Sequence, residues 1–183
     1  MTSSYRDMKA FVTLLLTTFA MNTSLIFDFK KDADVRSWRI VNDTVMGGRS
    51  SASFQLNEEG YGLFEGRVSI ENNGGFASLR HRFNKENVDQ FSKLALRIKG
   101  DGKRYQIRIK DDRRRYFSYI SYIETTGEWQ DIELPLDEFY AYFRGYRVNS
   151  PNFNHDQLEE IALLIGNKKA ESFSLLIDQI SLK

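Results

Sequence analysis

The sequence predicts an all-β protein, a jelly-roll β-sandwich made of two antiparallel sheets. From residue 25 onward, apolar residues recur at every second position, which is the period of a strand with one buried face. Helical patterns are scarce, and Gly, Asn or Asp turns separate the apolar segments at short and fairly even intervals. Many short strands, each with a single apolar face, bury those faces by stacking as two sheets.

The pattern predicts about nine strands, each with an apolar face built from alternate residues. They include residues 52–56, 64–70, 94–98, 105–109, 132–134, 161–165 and 173–177. A turn or two of helix is predicted at residues 137–143 and at residues 154–160. Trp38 and Trp129 each lie beside a predicted strand, so we expect both rings to be anchors in the core or at an interface.

The chain length suits one domain, predicted at residues 25–183, with residues 1–24 as a leader or a disordered N-terminal segment. Residues 8–20 contain one lysine followed by a short apolar run. The run is too short to span a bilayer, but its length is typical of the core of a signal peptide. We therefore expect no integral membrane span, and the segment is either an export leader or a segment that packs on the domain.

Composition excludes several classes of function. The chain has 26 Lys and Arg residues against 25 Asp and Glu, so it has no overall charge to attract nucleic acid or an anionic membrane. The absence of cysteine excludes disulfides and cysteine-ligated metals, and two histidines, His81 and His155, are too few for a histidine-ligated centre. We therefore expect no metal and no cofactor, and any recognition by cations must be local.

Two glycine pairs lie in loops that the sequence predicts to be shaped turns. The residues concerned are Asn42, Asp43, Gly47, Gly48 and Ser50 in the first loop, and Asn73, Gly74 and Gly75 in the second. Asn and Asp side chains hydrogen-bond nearby backbone, and glycine adopts positive φ, so we expect at least two of these four glycines at positive φ. The alternative to a purely structural role is a ligand-binding rim in which Asp43 and Asn73 are contact residues.

A predicted hairpin around residues 111–115 supplies the other candidate binding site. If its turn takes two or four residues, Arg108 pairs with Phe117 and shares an outward face with Tyr119. That face would combine a cation with two aromatic rings, which suits a protein partner or a sugar ring. A turn of three or five residues would exchange the faces, and the aromatic stretch at residues 139–143 could instead cover this surface.

Catalysis has little support in the sequence. We find no nucleophile elbow, no phosphate-binding strand–glycine–helix motif and no histidine near a suitable serine. The adjacent carboxylates Asp111 and Asp112 lie in a predicted turn, where neighbouring side chains point apart and make a poor acid–base pair. The sequence therefore predicts a protein that is not an enzyme.

An ordered set of loop and strand residues runs through the chain from about residue 26 to about residue 182. The set consists of Trp38, Asn42, Asp43, Val45, Met46, Gly47, Gly48, Ser50, Phe64, Gly66, Asn73, Gly74, Gly75, Phe76, Lys99, Gly100, Asp101, Gly102, Tyr105, Trp129, Pro135, Phe139 and Gly145. On these residues the sequence resembles the complex I intermediate-associated protein family. The resemblance implies a galactose-binding-like jelly-roll domain and a non-enzymatic role as an assembly factor or chaperone for respiratory complex I in mitochondria.

Three functions follow, and the first is a module that binds a protein partner, as the resemblance implies. The alternative is a carbohydrate-binding module that uses the aromatic and cationic face of the hairpin, and the third possibility is an unassigned enzyme. The cellular location of the protein distinguishes the first two functions. An exported or periplasmic domain would meet glycans, whereas a cytoplasmic or mitochondrial-matrix domain would meet an assembly partner.

Overall fold

Alternating apolar residues build β-strands through most of the chain. The structure, a computed structural model, describes residues 22–183, and within them thirteen strands and four short 3₁₀ helices occur. Residues 1–21 of the predicted leader, with the signal-like run, lie outside the described residues. No helix of the described part has the length and apolar character needed to cross a membrane.

In chain order the strands are β1 (Ser24–Asp28), β2 (Trp38–Asn42), β3 (Ser51–Leu56), β4 (Gly62–Val68), β5 (Ala77–Asn87), β6 (Lys93–Lys99), β7 (Arg104–Lys110), β8 (Ser118–Glu124), β9 (Trp129–Pro135), β10 (Tyr140–Phe143), β11 (Tyr146–Arg147), β12 (Gln157–Ile165) and β13 (Glu171–Leu182). The 3₁₀ helices are Val35–Ser37, Asp43–Met46, Glu71–Asn73 and Leu136–Glu138.

The strands form one sheet of six strands and one of seven. In the six-stranded sheet the order is β3–β4–β13–β6–β9, and β1 pairs with β13 beside this path. In the seven-stranded sheet the order is β11–β10–β8–β7–β12–β5–β2. Every pairing is antiparallel, so the predicted fold class, an all-β sandwich of two antiparallel sheets, is confirmed.

The core lies between the sheets and takes alternate residues from both. Its fully buried side chains include Phe64, Leu79, Leu94, Ile98, Ile107, Ile109, Ile161, Leu163, Leu175 and Ile177. Trp38 is 6% exposed and stacks on His81, with ring centroids 4.6 Å apart. The expectation of a core anchor is therefore confirmed for Trp38, whereas a place in the core is wrong for Trp129, which lies on the outer face of the six-stranded sheet.

The helical turns predicted at residues 137–143 and 154–160 are wrong for most of their length. The first range begins within a single 3₁₀ turn and continues as β10, and the second leads into β12. Tyr140 and Tyr142 flank the fully buried Ala141, which is a period-two pattern, and pairing with β8 satisfies the backbone of β10. The aromatic stretch therefore extends the seven-stranded sheet beside β8.

The two tryptophans should differ in their contribution to stability. Trp38→Ala is expected to lower the free energy of unfolding by ~3–5 kcal/mol, because it leaves a cavity in the core. Trp129 is half-buried on the outer face of the six-stranded sheet, where it packs on Tyr61 with 4.6 Å between ring centroids, so Trp129→Ala should cost much less. Urea denaturation measures both effects, and equal losses would contradict these two placements.

Candidate functional site

Asp43 joins the two glycine loops. Its side chain is fully buried, and its carboxylate accepts hydrogen bonds from the Ser50 amide (3.0 Å), the Ser50 hydroxyl (2.5 Å), the Gly75 amide (2.6 Å) and the Phe76 amide (3.3 Å). The Ser50 donors belong to the first loop, and the other two amides belong to the second. One buried carboxylate therefore fixes the position of both loops.

The glycines around Asp43 are required by its position and by the backbone. A Cβ on Gly48 would overlap the Asp43 side chain, and a Cβ on Gly74 would stand 2.6 Å from Asp43 Oδ2. Gly47 has a φ of 86° and Gly75 a φ of 142°. The expectation of at least two positive φ values among these four glycines is therefore confirmed.

The Asp43 carboxylate is engaged by the protein itself, so it does not face a ligand in this structure. This corrects the interpretation of Asp43 as a contact residue on a binding rim. Ser50 is likewise buried, and Asn42 precedes a 3₁₀ helix without capping it by its side chain. Asn73 is exposed with a φ of 59°, and its binding role stays a prediction.

The predicted register of the β7–β8 hairpin is wrong. Arg108 lies opposite Ile120 rather than Phe117, because seven residues, 111–117, separate the two strands. A turn with an odd number of residues exchanges the faces of the second strand. Phe117 and Tyr119 therefore point into the core, at 6% and 2% exposure, while Arg108 lies on the outer side of the sheet. The three predicted contact residues do not share a face.

Ion pairs within the turn account for its length. Arg115 Nε and Nη2 donate to the two carboxylate oxygens of Asp111 at 2.6 and 2.5 Å, and Arg114 pairs with Asp112 at 2.8 Å. Lys110 Nζ donates to the Arg115 carbonyl. Burial raises the pKa of Asp111, but the hydrogen bonds and charge of Arg115 together with the neighbouring His155 outweigh burial and leave the pKa below its ordinary value. The turn is therefore closed by its own charges.

The outer side of the seven-stranded sheet, termed the open face, carries a row of residues that crosses six strands. From one side to the other, the row is Tyr140, Ile120, Arg108, Ala162, Arg80 and Arg39. The side chain of Ala162 ends at Cβ and separates Arg108 from Arg80 in this row, and the position above it, between the two arginines, is termed the gap. Neighbouring strands are about 4.8 Å apart, which places the Cα atoms of Arg80 and Arg108 about 10 Å from each other.

The adjacent row adds further charges to the open face. Lys110, Glu160 and Arg82 lie side by side on β7, β12 and β5. Glu160 Oε2 accepts from Arg82 Nε at 2.7 Å, and Glu160 Oε1 lies 3.3 Å from Arg80 Nε. Among the described residues of the two rows, one carboxylate faces the five cations Arg39, Arg80, Arg82, Arg108 and Lys110. The open face is therefore locally cationic.

Arg108 forms no ion pair within residues 22–183. Its Nε donates to Gln106 Oε1 at 2.5 Å, and Gln106 Nε2 donates to the Tyr122 hydroxyl at 2.8 Å. Burial lowers the pKa of Arg108, and the like charge of Arg80 lowers it further. Burial and the neighbouring arginines likewise lower the pKa of Lys110. The charge of Glu160 raises the pKa of both cations, but neither forms an ion pair within the described residues.

Three tyrosines border the cations where β8 and β10 meet. The guanidinium of Arg104 lies 4.7 Å from the ring centroid of Tyr122, and that of Arg147 lies 4.9 Å from the ring centroid of Tyr140. Each contact is a cation–π interaction that covers one face of the ring. The Tyr142 ring is half-buried and forms no such contact within the described part of the chain.

The open face offers binding chemistry, since it combines guanidinium donors, phenol hydroxyls and aromatic rings. No group of three or more His, Cys, Asp or Glu side chains among the described residues is placed to hold a metal ion. Sequence reasoning identified Arg108 but missed Arg80, Arg82, Tyr140 and Tyr142. The arginines alternate with buried residues of β5, and the tyrosines flank a buried alanine in β10, so the period of two could have found them.

Asp43→Asn should destabilise the protein and change its response to acid. Burial raises the pKa of Asp43, but the hydrogen bonds from Ser50, Gly75 and Phe76 outweigh burial and lower it overall. Its contribution to stability is therefore complete above the unfolded-state pKa of about 3.9, and is lost as the pH falls through the lower folded-state pKa. In Asp43→Asn, the NH₂ group of the new side chain would face the N–H and O–H donors of the two loops. We expect this to lower the free energy of unfolding by about 1–3 kcal/mol.

Urea denaturation at neutral pH and at about pH 3 measures this effect. The wild-type protein should lose stability towards acid, and the difference between wild type and Asp43→Asn should shrink at the lower pH. A difference of the same size at both pH values would mean that the ionised carboxylate does not hold the loops.

The chain is similar to two curated mitochondrial proteins. It is 26% identical over 147 residues to "Complex I intermediate-associated protein 30, mitochondrial" of Drosophila melanogaster, covering 67% of this chain and 49% of that protein. It is 24% identical over 180 residues to the protein of the same name from Mus musculus, covering 85% and 55%. The chain therefore spans about half the length of the curated relatives it matches.

Solved structures with the same fold include carbohydrate-binding modules. A family 11 carbohydrate-binding module from Clostridium thermocellum, in complex with a β-1,3-1,4-mixed-linked tetrasaccharide, matches with a TM-score of 0.64 at 18% identity. The match covers 89% of this chain and 96% of that one. At this identity the likeness shows the fold alone, and it confirms the galactose-binding-like sandwich.

The family is shown by a match that extends over most of the chain. The family model for complex I intermediate-associated protein 30 matches residues 27–177. That range contains all strands from β2 to β12, and with them the whole open face and both loops held by Asp43. The chain therefore belongs to the complex I intermediate-associated protein 30 family.

Proposed function

We propose that this protein is a non-enzymatic binding module that attaches to a protein partner through its open face. The observation that carries the proposal is the combination of unpaired cations with tyrosines on one outer sheet surface. Arginine and tyrosine are enriched at protein interfaces, because both provide large contact areas together with hydrogen-bond donors. The sandwich behind them is rigid, so the face is organised before it meets a partner.

Family membership supports a partner that belongs to respiratory complex I. The relatives from fly and mouse are named for association with complex I intermediates, which points to an assembly intermediate as the partner. The matched range includes the open face, so a binding surface on that face is available to the part of the chain that the family shares.

The carboxylates near the two candidate sites favour binding over catalysis. Asp43 accepts four hydrogen bonds from its own loops, Asp111 is paired with Arg115, and Glu160 is held by two arginines. A general acid or base must be able to reach a substrate proton. These three groups instead stabilise the fold.

Carbohydrate binding is the second candidate, and the tyrosines of the open face are the observation that favours it. Sugar rings stack on exposed aromatic faces. Arg104 and Arg147, however, already cover one face each of Tyr122 and Tyr140. Tyr142 alone is a small platform, so the open face suits a protein surface better than an extended glycan.

Replacing the tyrosines should weaken capture of the partner. Affinity purification from the native source should recover complex I subunits with the wild-type protein, and Tyr122→Ala with Tyr142→Ala should reduce recovery at least about tenfold, because interface tyrosines are often hot spots. Tyr61→Ala is the matched control, since Tyr61 packs on Trp129 at the other sheet. Equal recovery by the double variant and wild type would overturn the proposal.

Affinity electrophoresis in gels containing mixed-linkage β-glucan separates the two candidate functions. We expect wild-type protein to migrate as it does in a gel without polysaccharide, because an arginine already covers one face of Tyr122 and one face of Tyr140. Retardation that disappears in the Tyr122→Ala, Tyr142→Ala variant would favour carbohydrate binding instead.

A further inference from the structure

The centre of the open face has an incomplete ionic network. Arg80 Nε is buried and makes no hydrogen bond within the described residues, although Glu160 Oε1 is 3.3 Å away. Across Ala162, the Arg108 guanidinium is bonded to Gln106 and to no carboxylate of that part of the chain. Partly buried cations without a counter-charge are unfavourable, and a bound anion would compensate them.

The outer face of the six-stranded sheet, by contrast, has a balanced network. Arg97 pairs with Asp131 at 2.9 Å and with Asp178 at 3.0 Å. Glu133 pairs with Lys93 and with Lys183, both at 2.8 Å. The same chain therefore matches its charges on one outer surface and leaves an excess of cations on the other.

Ala162 lies at the base of the gap between the two arginines. It is only 2% exposed although it lies on an outward face, so the longer side chains beside it cover it. A carboxylate has two oxygens in one plane, and it can accept hydrogen bonds from the fork of N–H groups on each guanidinium. A carboxylate therefore complements the charge and the hydrogen-bond donors of Arg80 and Arg108.

The spacing along β7 matches an extended chain that runs beside it. Arg108 and Lys110 are alternate residues of one strand, so their Cα atoms are about 6.7 Å apart. Alternate side chains of an extended peptide have the same separation. Two acidic residues at positions i and i+2 of such a peptide would meet Arg108 and Lys110 together.

We propose that the gap between Arg80 and Arg108 binds a side-chain carboxylate from an extended acidic segment of the partner protein. The inference rests on the proposed function, because it names the chemistry of the partner that the open face takes. Lys110 receives the next acidic residue of the segment, and Tyr142 borders it. Charge complementarity selects this occupant, since the open face has five cations and one carboxylate in its two central rows.

A labelled peptide tests the proposal directly. Fluorescence anisotropy should show that wild-type protein binds fluorescein-labelled hexaglutamate, more weakly as salt is added, and does not bind hexaglutamine. Arg108→Gln should weaken binding of hexaglutamate at least about tenfold, because it removes one side of the gap. Arg97→Gln, on the opposite outer face, is the matched control and should change binding less than about twofold.

A second variant tests the gap without any ligand. Ala162→Glu supplies the missing carboxylate from within the chain, so it should raise the melting temperature and weaken binding of hexaglutamate. Ala162→Gln has the same size without the charge, and its melting temperature should stay at or below that of wild type. If Ala162→Glu and Ala162→Gln lower the melting temperature equally, the binding of hexaglutamate by Arg108→Gln decides the inference. That variant should stay folded, because it removes a cation that has no ion pair.

Several results would overturn the inference. The first is failure of wild-type protein to bind hexaglutamate, and the second is an equal effect of Arg108→Gln and Arg97→Gln on that binding. The third is tighter binding of trigalacturonate than of hexaglutamate, which would assign the gap to an acidic carbohydrate.

Capture of the native partner separates this inference from the proposed function. If Arg108→Gln keeps the partner while the tyrosine double variant loses it, the acidic segment is wrong and the binding face stands. If both variants keep the partner, the binding face itself is wrong.

Discussion

The ion pair between Asp111 and Arg115 determines what the seven-stranded sheet shows to solvent. It closes a turn of seven residues, and this odd number directs Phe117 and Tyr119 into the core. The Tyr119 hydroxyl then lies 2.7 Å from His155 Nε2, which ties the hairpin to the loop before β12. The other side of β8 is left with Ile120 and Tyr122, so the position of one ion pair separates a core surface from the open face.

The open face is costly for the fold and therefore informative about function. Ile120 and Ala162 are buried on an outward surface, so the side chains of Arg80 and Arg108 lose part of their hydration by lying over them. Desolvated like charges oppose folding. Groups that weaken a fold persist mainly where they serve binding. On the opposite outer face the charges are paired, so the stability of this fold does not require unpaired cations on an outer surface.

The sequence was sufficient to predict the sandwich, because the period of apolar residues is a local property that each strand repeats. It also predicted shaped glycine loops, since Asp and Gly have specific backbone preferences that require no knowledge of distant neighbours. The predicted binding face of the β7–β8 hairpin was wrong for a physical reason. The register of the hairpin depends on the length of its turn, and that length depends on how Arg115 folds back on Asp111. Arg80 and Arg108 are brought together only by β12 between them, a contact that no local pattern contains.

Because the sandwich is shared with carbohydrate-binding modules, its architecture does not decide what the open face binds. The decisive feature is how cations and rings are combined. A sugar needs a free ring face, whereas a protein segment can use ring edges, hydroxyls and guanidinium groups together. Arg104 and Arg147 cover ring faces at the edge of the sheet. At its centre, Arg80 shares Glu160 with Arg82, and Arg108 forms no ion pair within the described residues. This arrangement removes stacking surface and adds charge, which supports the proposal of an acidic partner over that of a neutral glycan.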